Sequence, residues 1–298
     1  MIAQPQDITQ AKYTKKQLVA DTPTWCPGCG DFSILATYFK MMEKRQIPQE
    51  KITSIAGIGC SSRFPYFVNA HGAHFLHGRG VPFATGVSLS RPDLHVFMFG
   101  GDGDAFSIGG NHLSHAARKN VKLTYVIMDN FVYGLTKKQT SPTSPLGFKS
   151  KTDPWGAVDY PINPMKQLIA MGATFIARSH AHLPNHVLEM MELAMDHDGF
   201  SVVEVLSECT EFYPGAFDAA NPRKGGVYTL VPKEHDVTDE VGAYKLAMES
   251  FPGYFGLFYK VNRPTKNALE AGIINNARTK TNNATPAELL QKTFERFA

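Results

Sequence analysis

The sequence lacks a strong excess of charge of either sign, and it lacks long apolar runs. Its 298 residues include 30 lysines and arginines against 27 aspartates and glutamates, for a net charge of +3 at pH 7. Without a long basic run, this balance argues against nucleic-acid binding by bulk charge. Residues 1–20 lack the apolar stretch of a signal peptide, and no apolar run approaches the roughly 20 residues of a membrane helix. We therefore expect a cytoplasmic protein that binds neither nucleic acid nor membrane.

Cysteine is also scarce. The four cysteines are Cys26 and Cys29, which form a Cys-Pro-Gly-Cys turn, and the distant Cys60 and Cys209. One interpretation is two turn cysteines and two unrelated buried thiols, since a reducing cytoplasm disfavours disulfides. The other is a single metal or iron–sulfur site, because a complete set of four thiolates would use the whole cysteine content. Cys60 and Cys209 both lie beside strand-like runs whose ends would meet in a parallel sheet, so their separation in sequence does not exclude a shared site.

Apolar residues are plentiful and periodic. They make up 43% of the chain and charged residues 19%, so the chain can bury a large core. Short apolar runs typical of buried strands alternate with segments of helical periodicity, which predicts an α/β fold with a doubly wound, mostly parallel sheet. The predicted strands are residues 52–58, 94–99, 123–128, 173–177 and 201–206, and the clearest crossover helices are residues 32–44 and 183–195.

Two segments depart from this alternation. Residues 130–160 are rich in glycine and proline and have little periodicity, which predicts a long loop, and loops of that size are usually functional. After about His235 the pattern becomes polar and mixed. We therefore expect residues 1–235 to form the main domain. Residues 236–298 are expected to form a C-terminal appendage of helices and irregular chain that serves subunit contacts.

Polar residues follow two of the predicted strands. A Gly-Asp-Gly sequence around Asp102 directly follows the strand at 94–99, and after an intervening helix at 105–119 the next strand ends at Asn130. Such a β-α-β unit places both side chains at the same edge of the sheet. Its glycines allow the backbone to approach a phosphate, to which the next helix offers free amides. Oxygens of Asp102, Asn130 and a backbone carbonyl such as that of Val132 suit Mg²⁺ beside a diphosphate. The alternative is an ordinary surface turn.

The Gly-Asp-Gly and Asn pair resembles the GDG…N motif of thiamine diphosphate enzymes. Further motifs widen the resemblance to the β subunit of the 2-oxoacid:ferredoxin oxidoreductases, over roughly residues 20–210. They are WCPGCG at residues 25–30, GIGCSSR at 57–63, HGR at 77–79, GDGD at 101–104, YGLT at 133–136 and TSPT at 140–143. The resemblance implies a sheet of the diphosphate-binding type found in thiamine diphosphate enzymes.

The resemblance also implies where the cofactors are held. The ligands of a 4Fe-4S cluster would be Cys26, Cys29, Cys60 and Cys209. The ligands of Mg²⁺ would be Asp102, Asn130 and the carbonyl oxygen of Val132. The residues expected to line thiamine diphosphate are Ile58, Gly59, Cys60, Ser61, His77, Gly103, Asp104, Gly134 and Leu135.

Two side chains near these motifs allow a second interpretation. His77 could join His71 and His74 in a zinc site instead of lining the cofactor, but zinc would need one more ligand. Arg63 follows the GIGC motif and could bind a substrate carboxylate or a coenzyme A phosphate through its two terminal nitrogens. Its alternative is an ordinary solvated arginine.

A thiamine diphosphate enzyme also needs a carboxylate beside the aminopyrimidine ring of the cofactor. Glu43, Glu50 and Glu204 have no motif that supports such a role. In the family that the chain resembles, this glutamate comes from a separate α subunit. The resemblance therefore implies a chain that is catalytic only in a heteromer, expected to be a dimer of αβ heterodimers.

The reaction that the resemblance implies is the coenzyme A-dependent oxidative decarboxylation of a 2-oxoacid. Electrons would pass through the 4Fe-4S cluster to ferredoxin, and 2-oxoglutarate is favoured as the substrate. Pyruvate or a branched-chain 2-oxoacid is the alternative substrate. Two other functions stay open, a non-redox thiamine diphosphate decarboxylase or synthase and a zinc-stapled interaction protein.

Overall fold

The computed structural model describes residues 13–297 and contains an eight-stranded sheet. The strands are β1 (Ile52–Ala56), β2 (His71–His74), β3 (His95–Gly101), β4 (Leu123–Asp129), β5 (Phe175–His180), β6 (Phe200–Leu206), β7 (Thr229–Leu230) and β8 (Tyr254–Lys260). Their spatial order is β2-β1-β3-β4-β6-β5-β8-β7. Every pairing among β1 to β6 is parallel, whereas β8 is antiparallel to β5 and parallel to β7. The predicted doubly wound, mostly parallel α/β sheet is confirmed.

Helices cover both faces of the sheet. They are α1 (Lys15–Leu18), α2 (Asp31–Arg45), α3 (Phe64–Phe67), α4 (Gly80–Ser90), α5 (Gly110–Lys119), α6 (Pro164–Ala170), α7 (Pro184–Asp196), α8 (Glu240–Ala247), α9 (Lys266–Lys280) and α10 (Pro286–Glu295). On β3, Phe97 and Phe99 belong to the core cluster that contains side chains of α2 and α7, while Val96 and Met98 belong to the cluster on the other face, with side chains of α4, α5, α6 and α8. Burial on both faces explains why the strands are apolar throughout. Within residues 13–297, no helix combines the length and apolar character that a membrane crossing requires.

The five predicted strands are all present, with small shifts at their ends. The sequence pattern does not predict β2, β7 or β8. β2 is a four-residue edge strand without a buried side chain, so it has no apolar alternation to detect. β8 lies where helices and irregular chain are predicted. Its alternation is interrupted by Gly256, whose φ is 132°, and by a register shift opposite Ile176 and Ala177.

The C-terminal segment contributes to both the core and the surface. Phe255 and Phe258 of β8 are fully buried, and α8 packs on the sheet. In contrast, α9 and α10 bury none of their side chains. The role of residues 236–298 in subunit contacts stays a prediction.

Two features of the topology position the functional loops. The chain leaves β1 for β2 on one side and then crosses to β3 on the other, which creates a switch point of the kind where open α/β sheets bind ligands. Residues 130–163, which include the predicted loop, connect β4 to α6 without a helix or strand in this part of the described chain. After β3, a widened π-type turn (Gly103–Ile108) replaces the start of the predicted helix at 105–119, and α5 is the remainder.

Candidate functional site

The predicted cofactor residues lie together in one cleft at the carboxyl ends of β1, β3 and β4. The cleft has a volume of about 100 Å³. Its walls consist of Ile58, Gly59, Cys60, Ser61, His77, Gly101, Asp102, Gly103, Asp104, Asn130, Val132, Tyr133, Gly134, Leu135 and Thr136. This set includes all nine residues predicted to line thiamine diphosphate and all three predicted Mg²⁺ ligands. Their roles in binding stay predictions, but the fold brings them to one place.

Asp104 organises two of the loops around the cleft. Its Oδ1 accepts hydrogen bonds from the backbone amides of Ile58 at 2.9 Å and Gly78 at 2.7 Å. Nδ1 of His77 lies 2.7 Å from the same oxygen. A Cβ at Gly57 would lie 2.1 Å from the other carboxylate oxygen, so only glycine fits there. The buried carboxylate thus fastens the loop after β1 and the loop before α4 to the turn after β3.

Thr143 joins two buried carboxylates beside the cleft. Its hydroxyl oxygen lies 2.7 Å from Oδ2 of Asp102 and 2.9 Å from Oδ1 of Asp129. Burial raises the pKa of the Asp102 carboxyl, although hydroxyl hydrogen bonds act in the opposite direction. Burial and the nearby charge of Asp102 raise the pKa of Asp129 well above its ordinary value. The sequence gives Thr143 and Asp129 no role in the site, because only the fold of the long loop brings the threonine to the two strands.

A strained turn carries the predicted ligands Asn130 and Val132. Phe131, between them, has a φ of 60°, a left-handed conformation that residues other than glycine rarely adopt. The amide of Val132 donates to the side-chain oxygen of Asn130 at 3.1 Å. The amide of Phe131 donates to Oδ1 of Asp129 at 3.0 Å. These two bonds hold a backbone conformation that would otherwise be unfavourable, as is common at binding sites.

Gly103 permits a close contact between the two segments that carry the predicted metal ligands. A Cβ at this position would lie 2.0 Å from a ring carbon of Tyr133, so even alanine would displace the tyrosine. The absence of a side chain also leaves the backbone of the turn accessible from the cleft. Gly103 lines the cleft, and contact between its backbone and a phosphate stays a prediction.

The oxygen donors in the cleft fit a Mg²⁺ ion that is bound together with a diphosphate. Within residues 13–297, no three histidine, cysteine or acidic side chains gather closely enough to hold a metal ion alone. Mg²⁺ does not require such a cage, because it usually takes one or two carboxylates and completes its octahedron with water and substrate phosphates. Asp102, the amide oxygen of Asn130 and the carbonyl of Val132 are hard donors of this kind.

The cysteines lie at the same edge of the sheet. None of the four is in a disulfide; Cys26 is exposed, and Cys29, Cys60 and Cys209 are partly buried. A Cβ at Gly134 would lie 3.5 Å from Sγ of Cys209 and 3.7 Å from Sγ of Cys60. Two thiols that are distant in sequence therefore converge on one residue of the cleft wall.

The thiols also influence one another electrostatically. Burial is the main cause of the raised pKa of Cys29, of Cys60, which reaches about 12, and of Cys209. Charges on neighbouring cysteines add to these shifts, since Cys60 and Cys209 act on Cys29, and Cys26 acts on Cys60 and Cys209. The raised pKa values keep the thiols of Cys29, Cys60 and Cys209 protonated unless a metal replaces their protons. Four cysteines outside disulfides at one edge of the sheet are the ligand type and number that a 4Fe-4S cluster takes, and their role as its ligands stays a prediction.

Hydrogen bonds tie the Cys-Pro-Gly-Cys turn to both of the other cysteine segments. Oγ1 of Thr210 donates to the carbonyl of Pro27 at 3.0 Å, next to Cys209. The indole nitrogen of Trp25 donates to the carbonyl of Cys60 at 2.7 Å. The ends of β1 and β6 meet at one edge, as the parallel arrangement predicts, and these bonds connect the turn to that edge.

The three histidines considered as a zinc site do not gather around one point. His77 lies against Asp104, whereas Nδ1 of His74 lies 2.7 Å from the hydroxyl of Tyr66. His71 is exposed. Within the described residues these side chains form no metal site. The zinc interpretation is therefore wrong.

The side chains considered for catalysis and substrate binding lie outside the cleft. None of the glutamates among residues 13–297 lines it. Glu204 is fully buried and pairs with Arg178, and Glu43 accepts a hydrogen bond from the amide of Lys15. Arg63 lies in the turn after Cys60 and does not line the cleft. Its positive charge offsets only a small part of the rise that burial causes in the pKa of the Cys60 thiol. Its role with substrate stays a prediction.

A larger cavity of about 540 Å³ lies beside the long loop and has no counterpart in the sequence analysis. Its charged lining residues are Lys166, Arg178 and Glu249. It also contains Phe131 and Thr143, which are bonded to the segments of the cleft described above. The hydrogen bonds of Phe131 and Thr143 thus connect the lining of this cavity with the segments that form the cleft.

Comparisons with known proteins agree with this geometry. Residues 57–205 match the family described as thiamine pyrophosphate enzyme, C-terminal TPP binding domain. The chain is 46% identical over 209 residues to 2-oxoglutarate oxidoreductase subunit KorB of Mycobacterium tuberculosis, a match that covers 70% of this chain and 56% of that relative. It is 42% identical over 200 residues to 2-oxoglutarate synthase subunit KorB of Archaeoglobus fulgidus, covering 67% of this chain and 73% of that protein.

A solved structure is similar over nearly the whole chain. It is 2-oxoglutarate:ferredoxin oxidoreductase from Magnetococcus marinus with 2-oxoglutarate, coenzyme A and succinyl-CoA bound. The TM-score is 0.85, the sequence identity is 39%, and the match covers 94% of each chain.

Proposed function

Because the chain belongs to the family of thiamine pyrophosphate-binding β subunits of 2-oxoacid:ferredoxin oxidoreductases, we propose that it serves the coenzyme A-dependent oxidative decarboxylation of a 2-oxoacid in the cytoplasm. 2-Oxoglutarate is the favoured substrate, which the names of the similar proteins support, and ferredoxin is the electron acceptor. The observation that carries the proposal is the convergence of Asp102, Asn130 and Cys60 on one cleft. Hard oxygen donors and a thiolate ligand of a redox cluster are neighbours there.

The chain's own residues hold and orient the cofactors in this proposal. Thiamine diphosphate, when bound, supplies the ring that stabilises negative charge on the reacting carbon. Asp102, Asn130 and the Val132 carbonyl hold Mg²⁺ and thereby the diphosphate, while Gly103 lets the backbone approach it. Cys26, Cys29, Cys60 and Cys209 hold the 4Fe-4S cluster. A cluster held by these four cysteines would supply redox chemistry beside the cleft.

The cleft is incomplete without a partner. Its volume is about 100 Å³, whereas pockets for small molecules and cofactors usually measure about 300–1,000 Å³. It also has no glutamate to activate the cofactor within the described residues. We infer that an α subunit supplies both the missing wall and the missing carboxylate. Two such heterodimers pair in the assembled enzyme.

We assign subunit contacts to the C-terminal segment, residues 236–298. The support is the pair of helices α9 and α10, which expose Leu269, Ile273, Leu290 and Phe294 and bury nothing. A glutamate in place of Ile273 or Phe294 is expected to lower the mass of the assembled complex in light-scattering measurements. An unchanged mass for both variants contradicts this assignment.

The central test is an assay of the chain with and without its partner. Reduction of viologen should depend on 2-oxoglutarate, coenzyme A, Mg²⁺ and thiamine diphosphate. The rate with 2-oxoglutarate should exceed the rate with pyruvate or a branched-chain 2-oxoacid. The chain alone should show no turnover, and co-expression with the α subunit should restore it. Robust turnover by a preparation that mass spectrometry finds to contain only this polypeptide would overturn the heteromeric proposal.

A non-redox thiamine diphosphate decarboxylase is the alternative, and iron distinguishes the two. Anaerobically purified protein should show the broad visible absorption of a 4Fe-4S cluster, which a decarboxylase has no need of. Cys209→Ser should lose iron, and full iron content with unchanged electron transfer would remove Cys209 from the ligand set.

Asp102→Ala should lose Mg²⁺ and thiamine diphosphate together, because the metal bridges the protein and the diphosphate. Wild-type affinity of the Asp102→Ala variant for thiamine diphosphate would exclude a metal bridge between Asp102 and the diphosphate.

A further inference from the structure

The threonine that links two carboxylates beside the cleft has no part in the function proposed above. Thr143 is 3% exposed, and its hydroxyl lies within hydrogen-bond distance of Asp102 and of Asp129. These carboxylates come from the neighbouring strands β3 and β4, and like charges so close would repel each other. The Thr143 hydroxyl lies between them and can donate its single hydrogen to either carboxylate. It engages only one oxygen of Asp102, so the other can serve as a metal ligand.

The residue after Thr143 reaches the second metal-binding segment. Oγ of Ser144 donates to the carbonyl of Phe131 at 2.7 Å, and Phe131 lies between Asn130 and Val132. The same oxygen accepts from the amide of Ser141 at 2.8 Å, which closes a compact turn. Residues 141–144 therefore contact both of the segments that carry the proposed Mg²⁺ ligands.

We propose that Thr143 is a positioning residue for the Mg²⁺–diphosphate site: its hydroxyl fixes the orientation of the Asp102 carboxylate, while Ser144 fixes the turn that carries Asn130 and Val132. The inference rests on the proposed function, since it requires a metal at Asp102. Partners that orient a metal ligand usually change metal affinity when they are removed, even though they never touch the ion. The side chain acts through Asp102, and it is not among the residues that line the cleft.

The test compares Thr143→Val, which keeps the shape and loses the hydroxyl, with Thr143→Ser, which keeps the hydroxyl. Thr140→Val is the matched control, because Thr140 bonds Ser150 in the same loop at 2.7 Å and touches no carboxylate of the site. Mg²⁺ is titrated calorimetrically into the assembled enzyme with saturating thiamine diphosphate, and thermal unfolding is recorded in parallel. We expect Thr143→Val to bind Mg²⁺ about 10–100-fold more weakly. Thr143→Ser and Thr140→Val should bind like the wild type.

The outcomes separate this inference from the proposed function. If the wild-type enzyme binds no Mg²⁺, the proposed function fails. If the wild type binds and Thr143→Val matches it, the positioning role is wrong. Equal losses in Thr143→Val and Thr143→Ser, or in Thr140→Val, would show a packing effect and also overturn it. Should Thr143→Val fail to fold, Ser144→Ala provides the second variant; it should weaken Mg²⁺ binding roughly 10-fold, and unchanged affinity in it would refute the proposal.

Discussion

Replacement of Asp104 by asparagine tests whether one buried carboxylate organises the cleft. The backbone amides of Ile58 and Gly78 donate hydrogen bonds to Oδ1 of Asp104. Nδ1 of His77 lies 2.7 Å from the same oxygen. Hydrogen bonds to a charged group contribute roughly 1.5–3 kcal/mol and neutral ones roughly 0.5–1.5 kcal/mol. Asparagine keeps an oxygen that accepts but removes the charge, so each of three bonds should weaken by about 1 kcal/mol.

The expected loss for Asp104→Asn is therefore about 3 kcal/mol in the free energy of unfolding. For a chain of this size, 1 kcal/mol corresponds to roughly 2–4 °C, so the melting temperature should fall by about 6–12 °C. Thiamine diphosphate affinity should fall as well, because the loop that contains Ile58 lines the cleft. Asp104→Ala should lose more, since it leaves three donors without an acceptor. Differential scanning fluorimetry and calorimetric titration measure the two effects.

Asp93→Asn is the matched control for this substitution. It makes the same change of charge and shape in an exposed carboxylate, which pairs with Lys51 and Arg91 at the surface. Exposed ion pairs contribute little to stability, and this one does not line the cleft. If the Asp104→Asn and Asp93→Asn proteins have the same melting temperature and Asp104→Asn binds thiamine diphosphate with wild-type affinity, Asp104 does not organise the cleft.

Three further changes test other parts of the structure. Arg178→Met leaves Glu204 as an unpaired buried charge and should lower the free energy of unfolding, measured in urea, by about 3–5 kcal/mol. Adding Glu204→Leu should recover most of the lost stability. A double variant that is no more stable than Arg178→Met would contradict this explanation. Burial lowers the pKa of His197 from 6.5 to about 4, so stability should fall as the pH drops from 6.5 towards 4, because the unfolded chain binds the proton more readily. His197→Gln should flatten that dependence in melts recorded across this range, and an unchanged profile would assign it to other groups. Trp25→Phe removes the hydrogen bond from the indole nitrogen to the carbonyl of Cys60. It should lower the free energy of unfolding by about 1 kcal/mol and reduce the iron bound per chain. Unchanged iron content would mean that this bond does not support the Cys-Pro-Gly-Cys turn as part of a cluster site.

The sequence predicts the sheet and the position of the cleft because both depend on local patterns. A buried parallel strand is apolar throughout, so the run before Asp102 identifies β3 without any knowledge of its neighbours. The polar residues that follow such a run must lie at the edge of the sheet. Parallel strands joined by one helix bring their carboxyl ends together, and this constraint alone places Asp102 near Asn130.

The contacts that hold the cleft in shape could not be predicted in this way. Thr143 and Asp102 are 41 residues apart, and Gly78 and Asp104 are 26 residues apart. Threonine and glycine are common loop residues, so their types carry no signal of a carboxylate partner. Whether they meet depends on how the long loop packs and on the π-type turn, which are decided by tertiary contacts. β8 escapes prediction for a similar reason, since a register shift removes its alternation.

The order of the strands explains why the two proposed cofactor sites share one wall. β1, β3, β4 and β6 are consecutive neighbours in the sheet, and the segments after them carry Cys60, Asp102, Asn130 and Cys209. Adjacent strands lie about 4.8 Å apart, so the oxygen donors lie between the two cysteines. The segment after β4 approaches both thiols at Gly134, where a Cβ would lie within 4 Å of each sulfur. We therefore expect a displacement of this segment to affect the proposed cluster ligands and the proposed Mg²⁺ ligands together, so that damage to either site is detectable at the other.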